Sequence, residues 1–278
     1  MSIDRLQYTP EEFFQHVGLQ IVEEKIDYND YAPLDKLLQM GIENLPKKAW
    51  ESRTCQPSVT TLWRDGYETE PIAAMHMYRV ASLVEIFATI AHQVQPYLIT
   101  SQEHIAVITD AALLHDIGKT QPQIAAQLSK IFPTGEDIAQ LKFAKFIHPI
   151  VSAEMIKQAG LNSLIQEIAL KHHEKPDGSG FPASLINEDI PLEVTLIKIC
   201  DAIDSGSADK PWKHPKYRSP LEALENILQG CDGTINPVFY PSLLIFFKWA
   251  SRPKAQDLLN ALMSRTHYNG FTYRSNVD

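Results

Sequence analysis

The sequence predicts an all-α protein, and two observations support this prediction. Apolar residues recur at spacings of three and four along most of the chain, while runs of strict alternation, typical of half-buried strands, are scarce. Helix-start signals are frequent: a capping residue is followed three positions later by an acid at Thr9, Thr100 and Ser219. With 278 residues, 44% of them hydrophobic, the chain can bury one large core, or a core domain with a smaller attachment.

The elements divide into two parts. Residues 1–70 predict an N-terminal helical extension with one or two short helices and a polar stretch around 46–65 that shows no clear period. The larger domain is expected over 71–278, where the helical patterns are stronger. Its helices are predicted at about 71–95, 102–115, 136–158, 162–173, 191–204, 219–229, 236–249 and 253–265.

Composition and charge exclude some classes of function. The net charge of −9 and the pI near 5.6 argue against a protein that binds a nucleic acid polymer by general electrostatics. The sequence contains no apolar run of membrane-spanning length and no secretory signal at its start, so we expect a cytoplasmic protein without a membrane partner. The three scattered cysteines, Cys55, Cys200 and Cys231, predict reduced and mostly buried thiols.

Five of the predicted helices carry histidine or aspartate on the apolar stripe that faces the core. His76, for example, lies four residues before Val80 on the stripe of the helix that begins near residue 71. The same spacing argument places six more residues on inner faces, with His173 beside His172: His115, Asp116, His148, His172, His173 and Asp201.

Buried together, these groups predict a metal site. One histidine in a core is more often a hydrogen-bonded core residue than a ligand, but an unpaired buried aspartate costs several kcal/mol. Bound cations remove that cost, and a buried hydrogen-bond network is the alternative. Imidazole and carboxylate suit Fe, Mn, Zn or Ni, and the doublet His115-Asp116 allows one carboxylate to bridge two ions. Two ions about 3.5–4 Å apart are the usual device for hydrolysing phosphoesters.

The order of these residues resembles that of the HD-GYP family of HD-domain metal-dependent phosphohydrolases. Residues 115–119, HDIGK, are similar to its HDxGK signature, and residues 172–182, HHEKPDGSGFP, to its HHExxDGxGYP signature. Residues 201–213 resemble the DxxD…RPYR segment, and His148-Pro149 and His76 also fall at family positions. The resemblance covers roughly residues 71–250, and the long second motif in register with the others makes it specific.

The resemblance implies an HD-domain helical bundle and a phosphodiesterase that opens a cyclic dinucleotide, cyclic di-GMP or cyclic GMP-AMP, by a metal-bridging hydroxide. It also implies two divalent transition-metal ions, Fe or Mn in the first place and Zn or Ni otherwise. Two ligand sets are implied, which share Asp116: His76, His115, Asp116 and Asp201 for one ion, and Asp116, His148, His172 and His173 for the other.

Further residues receive roles from the same resemblance. Asp116 and Lys119 are expected to be catalytic, with Lys119 on a substrate phosphate; Lys210, Lys213 and Trp212 are expected to bind substrate. Asp177, in the turn 177–180, is expected to support the ligands of the second metal. A homodimer or a signalling-protein partner is compatible with the sequence, which specifies neither.

Four positions depart from the family pattern. Ile72 stands where some members have a glutamate that supports a third metal, so two ions are expected. Phe181 lacks the hydroxyl of the family's tyrosine, Lys210 lacks the planar fork of arginine, and Trp212 replaces another tyrosine. These changes leave the preferred cyclic dinucleotide open.

Two alternatives to a cyclic-dinucleotide phosphodiesterase remain open. One is an HD-type hydrolase that acts on another nucleotide or phosphate ester. The other is a catalytically weak module that binds a cyclic dinucleotide and regulates a partner. Such a module is expected to lose metal ligands, whereas all seven positions are filled in this sequence.

Overall fold

The computed structural model describes residues 30–43, 57–129, 134–208, 219–229 and 236–264, and these residues form helices, short 3-10 turns and loops. The prediction of an all-α fold is confirmed. The eleven α-helices of the described residues are α1 (Ala32–Glu43), α2 (Pro57–Thr69), α3 (Pro71–Val94), α4 (Gln102–Leu114), α5 (Pro122–Leu128), α6 (Glu136–Gln158), α7 (Ser163–Lys171), α8 (Glu193–Ser207), α9 (Pro220–Gln229), α10 (Tyr240–Ala250) and α11 (Pro253–Met263). The 3-10 turns are Ile117–Thr120, Asn187–Asp189 and Pro237–Phe239.

Helix α3 is the centre of the bundle. It is 24 residues long and is buried on nearly all sides from Ala74 to Ala91, because α2, α4, α8 and α10 all pack against it. A helix that is apolar all round is typical of such a central position. Phe87 stacks on Phe246 of α10 with ring centroids 4.9 Å apart, which fixes α10 against this core helix.

Most helix boundaries lie within two residues of the predicted ones, although α10 begins at Tyr240, four residues after its predicted start. The cap of α4 is Ser101 rather than Thr100, since the Ser101 side chain accepts the backbone N–H of His104. Helix α2 lies partly in the stretch 46–65, where the sequence shows no clear period, and α5 is an additional helix. Helix α8 continues to Ser207, three residues beyond the predicted end.

The first described helix is tied to the last two. Asp35 of α1 accepts hydrogen bonds from the indole N–H of Trp249 at 3.0 Å and from both terminal nitrogens of Arg252 at 3.0 and 2.9 Å. Buried side chains of α1 and α2, including Leu34 and Trp63, belong to the same apolar cluster as those of α3. A boundary at residue 70 between an extension and a larger domain stays a prediction.

Two smaller observations concern membrane-spanning length and the cysteines. Within the described ranges, none of the helices is both long and apolar enough to cross a membrane. Cys200 is a buried free thiol on α8, and burial holds its pKa well above the usual value. Cys55 and Cys231 lie outside the described residues.

Candidate metal centre

The helical bundle brings all seven expected ligands to one place. His76 lies on α3, His148 in the middle of α6 and Asp201 on α8, while two helices end at the site. Helix α4 ends at Leu114, with His115 as its C-cap and Asp116 next. Helix α7 ends at Lys171, with His172 as its C-cap and His173 next. Ligand atoms of six of these residues form two groups, each within 4.8 Å, that share Asp116: His76, His115, Asp116, and Asp116, His148, His172, His173.

The first group surrounds one oxygen of Asp116. The Nε2 atoms of His76 and His115 each lie 3.4 Å from Asp116 Oδ2. Asp201 adjoins this group, because its Oδ1 atom lies 3.2 Å from His76 Nε2. Lys119 donates a hydrogen bond to the same oxygen of Asp116.

The second group surrounds the other oxygen. The Nε2 atoms of His148 and His172 lie 3.1 and 3.4 Å from Asp116 Oδ1. His173 completes the group, with its Nε2 atom 3.1 Å from that of His148. The two carboxylate oxygens of Asp116 therefore face two different sets of rings, as a bridging ligand requires.

Hydrogen bonds to backbone carbonyls determine which ring nitrogens carry lone pairs. The Nδ1 atoms of His115 and His172 lie 2.7 Å from the carbonyls of Ala112 and Ala169, and a carbonyl can only accept. Each Nδ1 therefore carries the proton, and each Nε2 presents a lone pair toward Asp116.

Two acceptors that face each other in a buried site repel. Within the part of the chain that the structure describes, His115 Nε2 and His172 Nε2 are buried without a hydrogen-bond partner. A cation between imidazole and carboxylate removes this conflict, because it accepts electron pairs from both. The donor set therefore fits a metal, and the same observation argues against a self-contained hydrogen-bond network.

The two helix ends add negative partial charge. His115 and His172 are the C-caps of α4 and α7, so the last carbonyls of these helices lie beside the ligand groups. The C-terminal end of a helix carries roughly half a negative charge and favours cations. The backbone and the side chains thus favour the same kind of ligand.

Charge also sets the protonation of the cluster. Although burial opposes ionisation, the positive charge of Lys119 holds the pKa of Asp116 well below its usual range. Burial and the positive charge of Lys119 lower the pKa of His148 to about 4, so this ring is neutral at pH 7. Burial acts in the same direction on His76, but nearby carboxylates, Asp204 first among them, outweigh it and raise the pKa of His76 to about 10. A field that holds a proton this firmly also favours a metal cation.

Two residues that received no role from the sequence support His76. Asp204, fully buried on α8, accepts the Nδ1 proton of His76 at 2.6 Å. Arg79, one turn along α3 from His76, donates to both oxygens of Asp204, at 2.5 and 3.0 Å. The spacing of Asp201 and Asp204 within one helix is the sequence feature that could have indicated a role for Asp204. Its partners on α3, however, lie 125 and 128 residues away in sequence.

Glu174 supports the other side of the site. Its buried carboxylate accepts the backbone N–H groups of Ala183 and Leu185 at 2.6 and 2.9 Å, and so holds the loop that follows the two histidines. Lys198 of α8 donates to the carbonyl of Glu174 at 2.6 Å. Helix α8 therefore positions both halves of the cluster.

The remaining expected residues do not all reach the cluster. Asp177 is exposed and accepts from the backbone N–H and hydroxyl of Ser179, at 2.9 and 2.7 Å, so the recorded bonds of its carboxylate lie within its own turn. Phe181 stacks on the ring of His173, with centroids 4.6 Å apart. Lys210, Trp212 and Lys213 lie outside the described residues.

Fold and site together define a helical metal-binding protein whose ligands come from helix faces and helix ends. Residues 74–206 match the model of the HD domain. Residues 74–206 therefore carry an HD domain, and the six clustered ligands from His76 to His173, together with Asp201, all lie within this range.

Comparison with known proteins gives relatives of one kind. The chain is 27% identical to a probable cyclic di-GMP phosphodiesterase of Vibrio cholerae over 83% of this chain and 52% of that protein. It is 32% identical to a cyclic di-GMP phosphodiesterase response regulator of Xanthomonas campestris, over 48% of this chain and 35% of that protein. It is 33% identical to a 3'3'-cGAMP-specific phosphodiesterase of Vibrio cholerae, over 39% of this chain and 20% of that protein. The chain thus spans about half the length of the first relative and less of the other two.

Proposed function

We propose that this protein is a metal-dependent phosphodiesterase of the HD-GYP type that hydrolyses a cyclic dinucleotide, either cyclic di-GMP or cyclic GMP-AMP. The observation that carries the proposal is the pair of ligand groups that meet at the two oxygens of Asp116. The names of the relatives support the substrate class, because they specify cyclic di-GMP or 3'3'-cGAMP.

Two divalent ions fit the proposed centre, Fe or Mn first and Zn or Ni otherwise. His76, His115 and Asp201 would hold one ion and His148, His172 and His173 the other, with Asp116 between them. When bound, such ions lower the pKa of a coordinated water and neutralise phosphoryl oxygens. Ile72, half-buried at the start of α3, offers no ligand for a third ion.

The protein's own groups orient and stabilise the reacting phosphate in this proposal. Asp116 is ionised and central, and Lys119, 25% exposed at its side chain, reaches from solvent to the cluster. Its ammonium group would bind a phosphoryl oxygen and stabilise the charge that develops there. Asp204 and Glu174 hold their neighbours in place, so that little has to move when substrate arrives.

Three further substrate contacts belong to the proposal through the resemblance alone. Lys210 and Lys213 would meet the phosphates or a base, and Trp212 would stack on a base. Asp177 would act on the second metal's ligands only through its turn, since its carboxylate is engaged by Ser179. We also propose that residues 1–70 form an N-terminal extension of the larger domain.

The test combines metal analysis with product analysis. Purified protein, loaded anaerobically with Fe or Mn, is assayed on cyclic di-GMP, cyclic GMP-AMP and mononucleotides. We expect two ions per chain and a linear dinucleotide as the first product. Three tightly held ions would contradict the binuclear site, and hydrolysis restricted to mononucleotides would identify another phosphohydrolase.

Variants of the site complete the test. His115→Ala and Asp116→Ala are expected to abolish turnover and to reduce bound metal, while Lys157→Ala, at an exposed position near the end of α6, is expected to change neither. Full activity in either ligand variant would refute the proposed site.

A further inference from the structure

A row of stacked rings leads from the ligand cluster to the surface. His173 stacks on Phe181 with centroids 4.6 Å apart and planes at 28°. Phe181 stacks in turn on Phe146 of α6, at 6.1 Å and 27°. Phe146 is 43% exposed, so the row ends in an aromatic ring open to solvent beside the proposed catalytic centre.

Phe146 differs from the other exposed apolar residues of α6. Phe143 and Ile150 also face solvent, and single apolar residues on a surface are ordinary. The recorded ring contacts of Phe146, however, join it to Phe181 and through that ring to a proposed metal ligand. The orientation of Phe146 is therefore coupled to that of the site, which is not required of an ordinary surface residue.

We propose that Phe146 is a base-stacking residue that binds one nucleobase of the cyclic dinucleotide and so contributes to substrate selection. This inference rests on the proposed function. A phosphate held at the cluster would place its nucleoside near the surface, where the ring row, with successive planes tilted by 28° and 27°, offers apolar faces. Every nucleobase presents an apolar face on which an aromatic side chain stacks, while its edges stay in water.

The charge around Phe146 fits an anionic ligand. Lys142 and Lys145 are exposed on the same helix, and Lys142 lies one helical turn before Phe146. On a chain of net charge −9, this local pair of cations favours a ligand that combines phosphates with bases.

The experiment compares substitutions at Phe146 in the metal-loaded full chain, with cyclic di-GMP and cyclic GMP-AMP as substrates. Phe146→Leu keeps an apolar side chain but removes the ring, and we expect KM to rise about tenfold with kcat changed less than twofold, the size of one lost stack. Phe146→Trp keeps an aromatic ring and should leave KM near the wild-type value. Phe143→Ala, a neighbouring exposed phenylalanine on α6, is the matched control and should leave KM unchanged.

A direct signal of stacking makes the test independent of turnover. A cyclic dinucleotide that carries fluorescent 2-aminopurine should be quenched on binding to the wild type and to Phe146→Trp, but much less by Phe146→Leu. Equal KM and equal quenching in Phe146→Leu would overturn the inference while the proposed function stands. So would a concentration-dependent dimer in sedimentation that Phe146→Leu alone abolishes. Absence of any cyclic-dinucleotide binding or hydrolysis by the wild type would overturn both.

Discussion

At the scale of single residues, Asp116 lies at the centre of the candidate metal site. Its Oδ1 atom faces His148 and His172, and its Oδ2 atom faces His76 and His115. The carboxylate is buried and ionised, a state that is stable only with positive charge nearby. Lys119 supplies part of that charge, and the free lone pairs of the rings indicate that cations supply the rest.

A substitution that keeps the shape of Asp116 and removes its charge tests this role. We expect Asp116→Asn to lower kcat by more than about 100-fold. Mutation of a residue that only orients a metal ligand already lowers activity or metal affinity by about 10–100-fold. Metal content per chain should fall as well. Elemental analysis and a hydrolysis assay measure both, and retention of two ions by this variant would contradict a bridging role.

Asp204 is expected to act through His76. Asp204→Asn removes one acceptor, so that the Nδ1–H of His76 or the guanidinium of Arg79 loses its partner in a buried site. Metal affinity should weaken about 10–100-fold, and the melting temperature should fall, because an unpaired buried charge costs about 3–5 kcal/mol. Calorimetric metal titration and thermal unfolding are the measurements.

The control for Asp204 is Glu154→Gln, which neutralises an exposed carboxylate on α6 that bonds only within its own helix at Gln158. A lower melting temperature with unchanged metal affinity in Asp204→Asn would assign Asp204 to the fold alone.

Sequence spacing predicts which residues face the site, but it does not predict all of their contacts. The apolar stripes place His76, His148 and Asp201 on inner faces, and the structure brings them together. The bonds of Arg79 and Glu174 were not predictable in this way, because their partners are set by how distant segments meet.

At the scale of elements, the 3-10 turn 117–120 brings Asp116 against α6. Gly118 packs so closely that an added Cβ would lie 2.4 Å from the carbonyl oxygen of His148 and 2.8 Å from the backbone nitrogen of Ser152. Its N–H also donates to the Ser152 hydroxyl at 2.9 Å. Glycine is required here for close approach of two backbones.

Gly118→Ala is therefore expected to separate α6 from the turn. We expect a loss of about 1–3 kcal/mol in the free energy of unfolding, typical of overpacking, together with lower activity because His148 moves with α6. Denaturant unfolding and the hydrolysis assay measure the two effects.

The matched control is Gly160→Ala, which adds the same methyl group at φ +68°, where no heavy atom of another described residue, its two chain neighbours apart, lies within 4 Å. It reports the strain of a left-handed backbone alone, about 1–2 kcal/mol, and should leave kcat unchanged. Equal loss of kcat in both variants would remove the packing explanation.

Helix positions were predictable from periodicity wherever one face is apolar. Helix α2 escaped because its glycine and many polar residues dilute the pattern, and only packing against α3 and α4 buries Val59 and Trp63. Thr100 and Ser101 are adjacent, and both residue types cap helices. Local backbone geometry, and not residue type, therefore determines that Ser101 caps α4.

At the scale of the whole molecule, Asp35 joins the two ends of the described chain. Its hydrogen bonds to Trp249 and Arg252 connect α1 with α10 and the start of α11. Burial raises the pKa of Asp35, but the bonds and the charge of Arg252 outweigh this and lower it overall. The ionised form is therefore the one that stabilises the folded protein.

This shift predicts a pH dependence with a definite sign. A lowered folded-state pKa contributes stability above the ordinary pKa of aspartate, near 3.9, and that stability is lost as pH falls through the folded-state value. Asp35→Asn should destabilise the protein by about 1.5–3 kcal/mol at pH 7 and by much less in strong acid. Unfolding of both proteins across pH measures the difference, and a gap that is constant with pH would disprove the role of the charge.

The carbonyl anchors of His115 and His172 have a consequence for how the protein acquires its metals. Each anchor lies three residues before its ring, in the helix that the ring follows, so the orientation of these two rings is set by local structure and holds in the folded chain without an ion. Ion uptake then needs no refolding, and removal by a chelator should be reversible on the folded chain. Under these conditions, we expect the occupancy of the site to follow the supply of divalent metal ions in the surroundings.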